Sequence, residues 1–356
     1  MNKSSRIEGF DFARAFAIFG MMLVNYKIIF TKGCEWNLFF NDFISLFEGR
    51  SASVFLILAG IGISLMSKDA FMSNSRELRK KINKKLIKRS LFLFIFGMWL
   101  YLGFDWTADI LHYYGVYMIL TIFFLYRDKK FILISIILIL LISTIFQINL
   151  DYTFGWNNNF TLYKDFNTLR GFIRNLFFNG YHPIFPWFSF FLIGILFGRI
   201  NFYDEYLIKA IGAKAFVIAI FVETISYLII SINNYSHLII YFFDTKPLNP
   251  TVFYIISGSS WAISFICFCI VISKYLKKSK LFKALVSTGQ MALTHYFIHC
   301  VIVLGLFFVI DKLSYRDEGF VILLSLIVFA LMNVFSYNWL KFFKRGPLEL
   351  FMRILS

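Results

Sequence analysis

A chain of 356 residues that is 59% hydrophobic, with 48 phenylalanines and a mean hydropathy of +0.71, is not composed like a soluble domain. The net charge of +16 would suit a nucleic-acid binder, but the lysines and arginines punctuate apolar runs, so the charge reports membrane topology and contact with anionic lipid, and no nucleic acid is expected. The four cysteines (Cys34, Cys267, Cys269, Cys300) form no CxxC pair and no metal-ligand spacing, which argues against a disulfide framework and a metal site.

Apolar runs predict spans near residues 10–30, 43–66, 87–104, 108–126, 131–148, 184–199, 215–232, 252–272, 289–310 and 320–339. The predicted fold is therefore all-α: a polytopic integral membrane bundle of about ten transmembrane helices, with residues 1–356 forming one membrane domain. With the N-terminus inside, 27 of the 36 lysines and arginines fall on the cytoplasmic side and seven outside, so both termini are expected in the cytoplasm. No small-residue cleavage site follows the first run, which reads as a retained span of a multi-pass protein of the cell membrane. The stretch from Lys68 to Arg89 holds nine basic residues and reads as an interfacial helix. The polar stretch from Asn149 to Tyr181, rich in Asn, Phe and Tyr, reads as an ordered outer cap.

Polar residues inside these runs mark candidate sites, because such groups are costly in hydrocarbon and usually face a bundle interior. In the first span Asp11, Arg14 and Asn25 lie close to one helical stripe, since eleven residues amount to three turns plus about 20°. Glu48 and Arg50 come next; either they meet partners on other helices, or Arg50 snorkels to the headgroups. In the run Asp109-Ile110-Leu111-His112, the carboxylate and imidazole share a helical face, as an oriented general base requires; alternatively Thr107 or Asp109 caps the helix while His112 and the tyrosines form an aromatic belt. His182 precedes Pro183 and Pro186 on the same predicted side as His112, where the two could meet. His295 and His299 are four apart, the spacing of zinc ligands, but lack the adjacent glutamate, and a hydrogen-bonded pair is the better reading.

Taken together, Arg6, Phe10-Asp11, Arg14 and Val24-Asn25-Tyr26 resemble the opening of the transmembrane acyltransferases of the heparan-glucosaminide N-acetyltransferase type. Glu48-Gly49-Arg50, Leu58 to Gly62, Asp109 to Gly115, Gly289 to Thr294 and Gly346-Pro347-Leu348-Glu349 with Arg353 resemble the bacterial YeiB-like branch (domain of unknown function 418). The resemblance implies an acyl-coenzyme A donor reaching in from the cytoplasm, acetyl being one acyl group, and an extracytoplasmic envelope acceptor: glycan, lipid or peptide. It implies that Asp11 and Arg14, with Glu48 and Arg50, face the donor, and that Asn25 holds a thioester carbonyl. A catalytic histidine expected soon after the first span is missing from Lys32 to Asn37, so the base falls to His112 with Asp109, or to His182. The other reading is a non-enzymatic transporter, exporter accessory or immunity-type protein that binds an amphipathic molecule. Membrane lipids are expected partners in either case, and homo-oligomerisation is left open.

Overall fold

The computed structural model describes residues 6–30, 38–309 and 317–355. In chain order the helices are α1 (Glu8–Phe30), α2 (Leu38–Ser45), α3 (Arg50–Met72), α4 (Arg76–Gly103), α5 (Leu111–Phe124) and α6 (Lys129–Asn149). There follow α7 (Leu169–Arg174), α8 (Ile184–Phe197), α9 (Glu205–Ile232), α10 (His237–Phe243) and α11 (Val252–Leu276). The last five are α12 (Lys280–Gln290), α13 (Ala292–Phe297), α14 (Leu304–Val309), α15 (Glu318–Phe342) and α16 (Pro347–Leu355). Two π-helical segments interrupt them, at Asn175–Asn179 and Ile298–Val303.

Among the described residues, seven stretches are long and apolar enough to cross a bilayer. Two more candidates are bent pairs: Leu169–Asn179 with Ile184–Phe197, at 51°, and Lys280–Gln290 with Ala292–Phe307, at 78°. The shorter apolar helix α5 occupies the remaining expected segment. On α6, Ile134, Ile137, Leu138, Leu141 and Ile145 are all exposed, a belt no soluble monomer keeps in water. The protein is a polytopic helical membrane protein.

Two local expectations change. The second span does not begin as one helix: Gly49, at φ +68°, turns the chain between α2 and α3, a left-handed conformation that suits glycine. The basic stretch is not a separate interfacial helix either. Ser75 caps α4 by accepting the Leu78 N–H, and neither glycine nor proline interrupts the helix before Gly97, so its basic first turns run straight into an apolar span.

The chain packs as two compact units. One comprises the described residues up to Phe55, with Phe202–Phe216 and Trp261–Ile354. Here α1 is buried nearly all round, against α12 and α15, and Gly289 of α12 lets the Asp11 carbonyl approach with no room for a Cβ. The other comprises Leu56–Asn201 and Val217–Ser260 with the chain end. In it α4 packs on α5 through Gly97 and Gly115, and the Ser90 hydroxyl donates to the Gly115 carbonyl. The segment between α6 and α7 is an ordered cap: Trp156, Tyr163, Phe166 and Tyr101 form a buried cluster. The Asn179 amide donates to the Tyr152 and Phe154 carbonyls, and Arg174 pairs with Asp165 at 2.6 Å.

Candidate functional site

The stripe on α1 leads to two different environments. At its start, Asp11 is 1% exposed and its oxygens are both engaged: Arg6 Nη2 at 3.0 Å and Arg14 Nη1 at 2.6 Å on Oδ1, and Arg6 Nε at 2.5 Å on Oδ2. Asp11 is therefore a clamp that orients two guanidiniums, rather than a group turned outward itself. Arg6, 60% exposed, entered the sequence reading only through the family resemblance and not as a site residue; the arginine lies just before the helix, where periodicity carries no signal. Arg345 lies close enough to Arg6 and Arg353 that burial, with those like charges adding to it, lowers its pKa from the usual arginine range. A cluster of cations thus gathers where α1 begins and α16 ends the chain.

Further along α1, Asn25 meets a residue 274 positions away. Its Nδ2–H donates to Nε2 of His299 at 3.1 Å. The other nitrogen of that ring, Nδ1–H, donates to the His295 carbonyl at 2.9 Å, so the imidazole is neutral and Nε2 carries the lone pair. The Cys300 thiol approaches the same Nε2 at 3.2 Å, and the Tyr26 ring stands 6.4 Å from the imidazole with its hydroxyl buried and without a partner among the described residues. His299 is fully buried, whereas Asn25 is partly exposed, so the amide is the open side of the pair.

The local backbone explains how His299 gets there. The chain breaks at Met291 between α12 and α13, and the carboxylate of Glu349 on α16 caps the new start. Its Oε1 accepts from the N–H groups of Leu293 (2.8 Å) and Thr294 (3.1 Å), and Oε2 from the Thr294 hydroxyl (2.6 Å). Gly346 leaves the space that this carboxylate fills. The helix then widens into the π segment that carries His299 and Cys300, a distortion often found at functional sites. His295 is engaged elsewhere: its Nε2–H donates to the Ser336 hydroxyl, which itself donates to the Met332 carbonyl.

The second unit holds the other sequence candidates. Oδ2 of Asp109 accepts both the His112 backbone N–H (3.0 Å) and its ring Nδ1–H (2.8 Å), so the carboxylate caps the helix and orients the imidazole at once. Both residues are fully buried, and His112 Nε2 has no partner among the described residues. Gly97 packs on this pair so closely that a Cβ would strike the His112 N–H. His182 shares a neighbour with His112: the Tyr113 ring lies 3.9 Å from His112 and 6.0 Å from His182, whose other face meets Trp187 at 4.5 Å.

Glu48 and Arg50 are not brought to one site. Lys27 donates to Glu48 at 2.8 Å and to Asn41 at 2.7 Å, while Arg50 turns to the Trp261 ring, 5.9 Å away. The segment from Lys32 to Asn37, where a histidine was sought, lies outside the described residues.

Two family models match this chain. The model described as heparan-alpha-glucosaminide N-acetyltransferase, catalytic, covers residues 6–236, well over half of the chain, and so includes Asp11, Asn25, Asp109 and His112. The model described as protein of unknown function (DUF418) covers residues 198–356, which include His299 and Glu349. No curated protein and no solved structure matches. The chain belongs to the YeiB-like, DUF418 family of membrane proteins, related to the acyltransferases of the heparan-glucosaminide N-acetyltransferase type.

Proposed function

We propose that this protein transfers an acyl group from cytosolic acyl-coenzyme A to a hydroxyl or amine of an extracytoplasmic envelope acceptor, across the cell membrane with both termini inside. The observation that carries this reading is the pairing of Asn25 with the neutral His299, an amide donor and a lone-pair nitrogen 3.1 Å apart. In the reaction the Asn25 N–H leaves His299 Nε2 for the thioester carbonyl oxygen, and the lone pair so freed takes the proton of the acceptor hydroxyl or amine as its oxygen or nitrogen attacks the thioester carbon. An Asn25 N–H donates to the carbonyl oxygen as charge builds there, the C–S bond breaks, and the proton passes to the departing thiolate. Arg6 and Arg14, held by Asp11, supply cations for the phosphates of the donor.

A second reading places the base at His112. It is favoured by the Asp109 oxygen that holds Nδ1, while Nε2 has no partner among the described residues. Inverted vesicles supplied with radiolabelled acyl-coenzyme A separate the two. Loss of transfer of about 10²–10⁴-fold in His299→Gln, with His112→Gln retaining it, supports the first. The opposite pattern supports the second, and undiminished transfer in both removes the mechanism.

A further inference from the structure

The first unit contains a cavity of about 350 Å³ that the reaction as drawn does not use. It is bounded by α1, the start of α3 and α11, and its walls are almost wholly apolar, with Ala17, Val54 and Phe265 among them. Three lining residues carry polar atoms: Arg50, Ser51 and Trp261. The Arg50 guanidinium stands over the Trp261 ring, and the indole N–H is buried without a partner among the described residues.

The position of these groups narrows what the cavity can take. Ser51 packs against Gly20, at the middle of α1, and Arg50, which opens α3, also donates from Nη1 to the Ser45 and Leu46 carbonyls at 3.4 Å. A cation at the rim of an apolar cavity favours a ligand whose polar end is an anion or a carbonyl oxygen. A chain lying in the cavity with its carbonyl end against a guanidinium and an indole N–H satisfies both the apolar walls and the polar groups. At roughly 30 Å³ per water-sized group, the volume accommodates about a dozen methylene-sized groups.

We propose that this cavity is an acyl-chain pocket that takes a saturated chain of about ten to twelve carbons, its carboxyl or thioester end directed at Arg50 and Trp261. Assignment of that chain to the donor rests on the acyltransferase reading, and it makes a medium-chain acyl group the preferred cargo over acetyl.

The test uses purified protein in nanodiscs with radiolabelled hexanoate, octanoate, decanoate, dodecanoate and hexadecanoate, beside transfer from acetyl-, dodecanoyl- and hexadecanoyl-coenzyme A. Binding is expected to tighten about three- to four-fold per methylene up to the limit of the cavity and then to level off. Arg50→Gln is expected to weaken dodecanoate by about ten-fold or more, and Val54→Phe or Ala17→Phe to shift the preference to shorter chains. Melting curves establish that each variant is folded. Dodecanoate binding with this length profile but no transfer upholds the pocket and defeats the acyltransferase reading. Transfer of acetyl with no dodecanoate binding overturns the pocket and leaves that reading standing. Binding unchanged in Val54→Phe, Ala17→Phe and Arg50→Gln overturns the pocket as well.

Discussion

Replacing Glu349 by alanine tests how the His299 segment is held. The substitution removes one acceptor oxygen from the Leu293 and Thr294 N–H groups, at 2.8 and 3.1 Å, and the other from the Thr294 hydroxyl at 2.6 Å. Two backbone donors at a helix start then lack a partner, at about 1–3 kcal/mol each, and the favourable charge at the helix N-terminus is lost for about 0.3–1 kcal/mol. Against this stands the relief of burying a carboxylate, whose pKa is raised by that burial. The balance is a loss of about 2–4 kcal/mol. At about 2 °C per kcal/mol for a long chain, the apparent melting temperature in detergent should fall by about 4–8 °C. Glu349→Gln keeps an acceptor for both N–H groups and should lose less than half as much. Amide hydrogen exchange at Leu293 and Thr294 should accelerate in Glu349→Ala. If that variant melts with the wild type and exchanges no faster, the carboxylate does not organise the start of α13.

Other expectations follow from the same geometry. Because the Glu349 pKa is raised, the folded state binds the proton more tightly than the unfolded chain, and this group's contribution to stability falls as pH rises from the ordinary glutamate range through the raised value. The melting temperature of Glu349→Gln relative to wild type should therefore climb over that window; a flat difference contradicts it. Asp109→Ala strips the acceptor from both His112 donors and should cost about 2–5 kcal/mol in thermal or denaturant melts. Gly97→Val, with a Cβ driven into the His112 N–H, should fail to accumulate as a monodisperse protein in detergent, whereas Gly305→Val, which meets open space, should accumulate normally. Lys27→Met removes an ion pair whose side chains are only 20% and 26% exposed, together with the bond to Asn41, and should cost about 1–3 kcal/mol in melts; an unchanged melt would show that the pair does not anchor α2.

Much of the architecture was legible in the sequence because hydropathy reports length and composition directly. Each of the ten expected segments corresponds to a helix, a bent pair or, for α5, a short apolar helix. The breaks were not legible. Gly49 and Met291 interrupt apolar runs without a proline, and a left-handed turn or a cap supplied from 55 residues away leaves no mark on a hydropathy window. The stripe of Asp11, Arg14 and Asn25 picked out polar groups that do find partners, and the spacing of Asp109 and His112 pointed to a real contact. What spacing could not supply was the partner of Asn25. His299 showed itself only as one of two histidines four apart, and a pairing across 274 positions depends on how α1 meets the π segment. Capping and ring orientation at Asp109 looked like competing alternatives, but one carboxylate oxygen has two lone pairs and performs both.

The most direct test of the account is single-turnover release of coenzyme A thiol by purified protein in nanodiscs, with a hydroxyl or amine acceptor from the cell envelope, for wild type beside Asn25→Ala and His299→Gln. The account expects thiol release by the wild type, a fall of about 10²–10³-fold in Asn25→Ala, and an equal or larger fall in His299→Gln, all at unchanged folding. Release at the wild-type rate by both variants would contradict it.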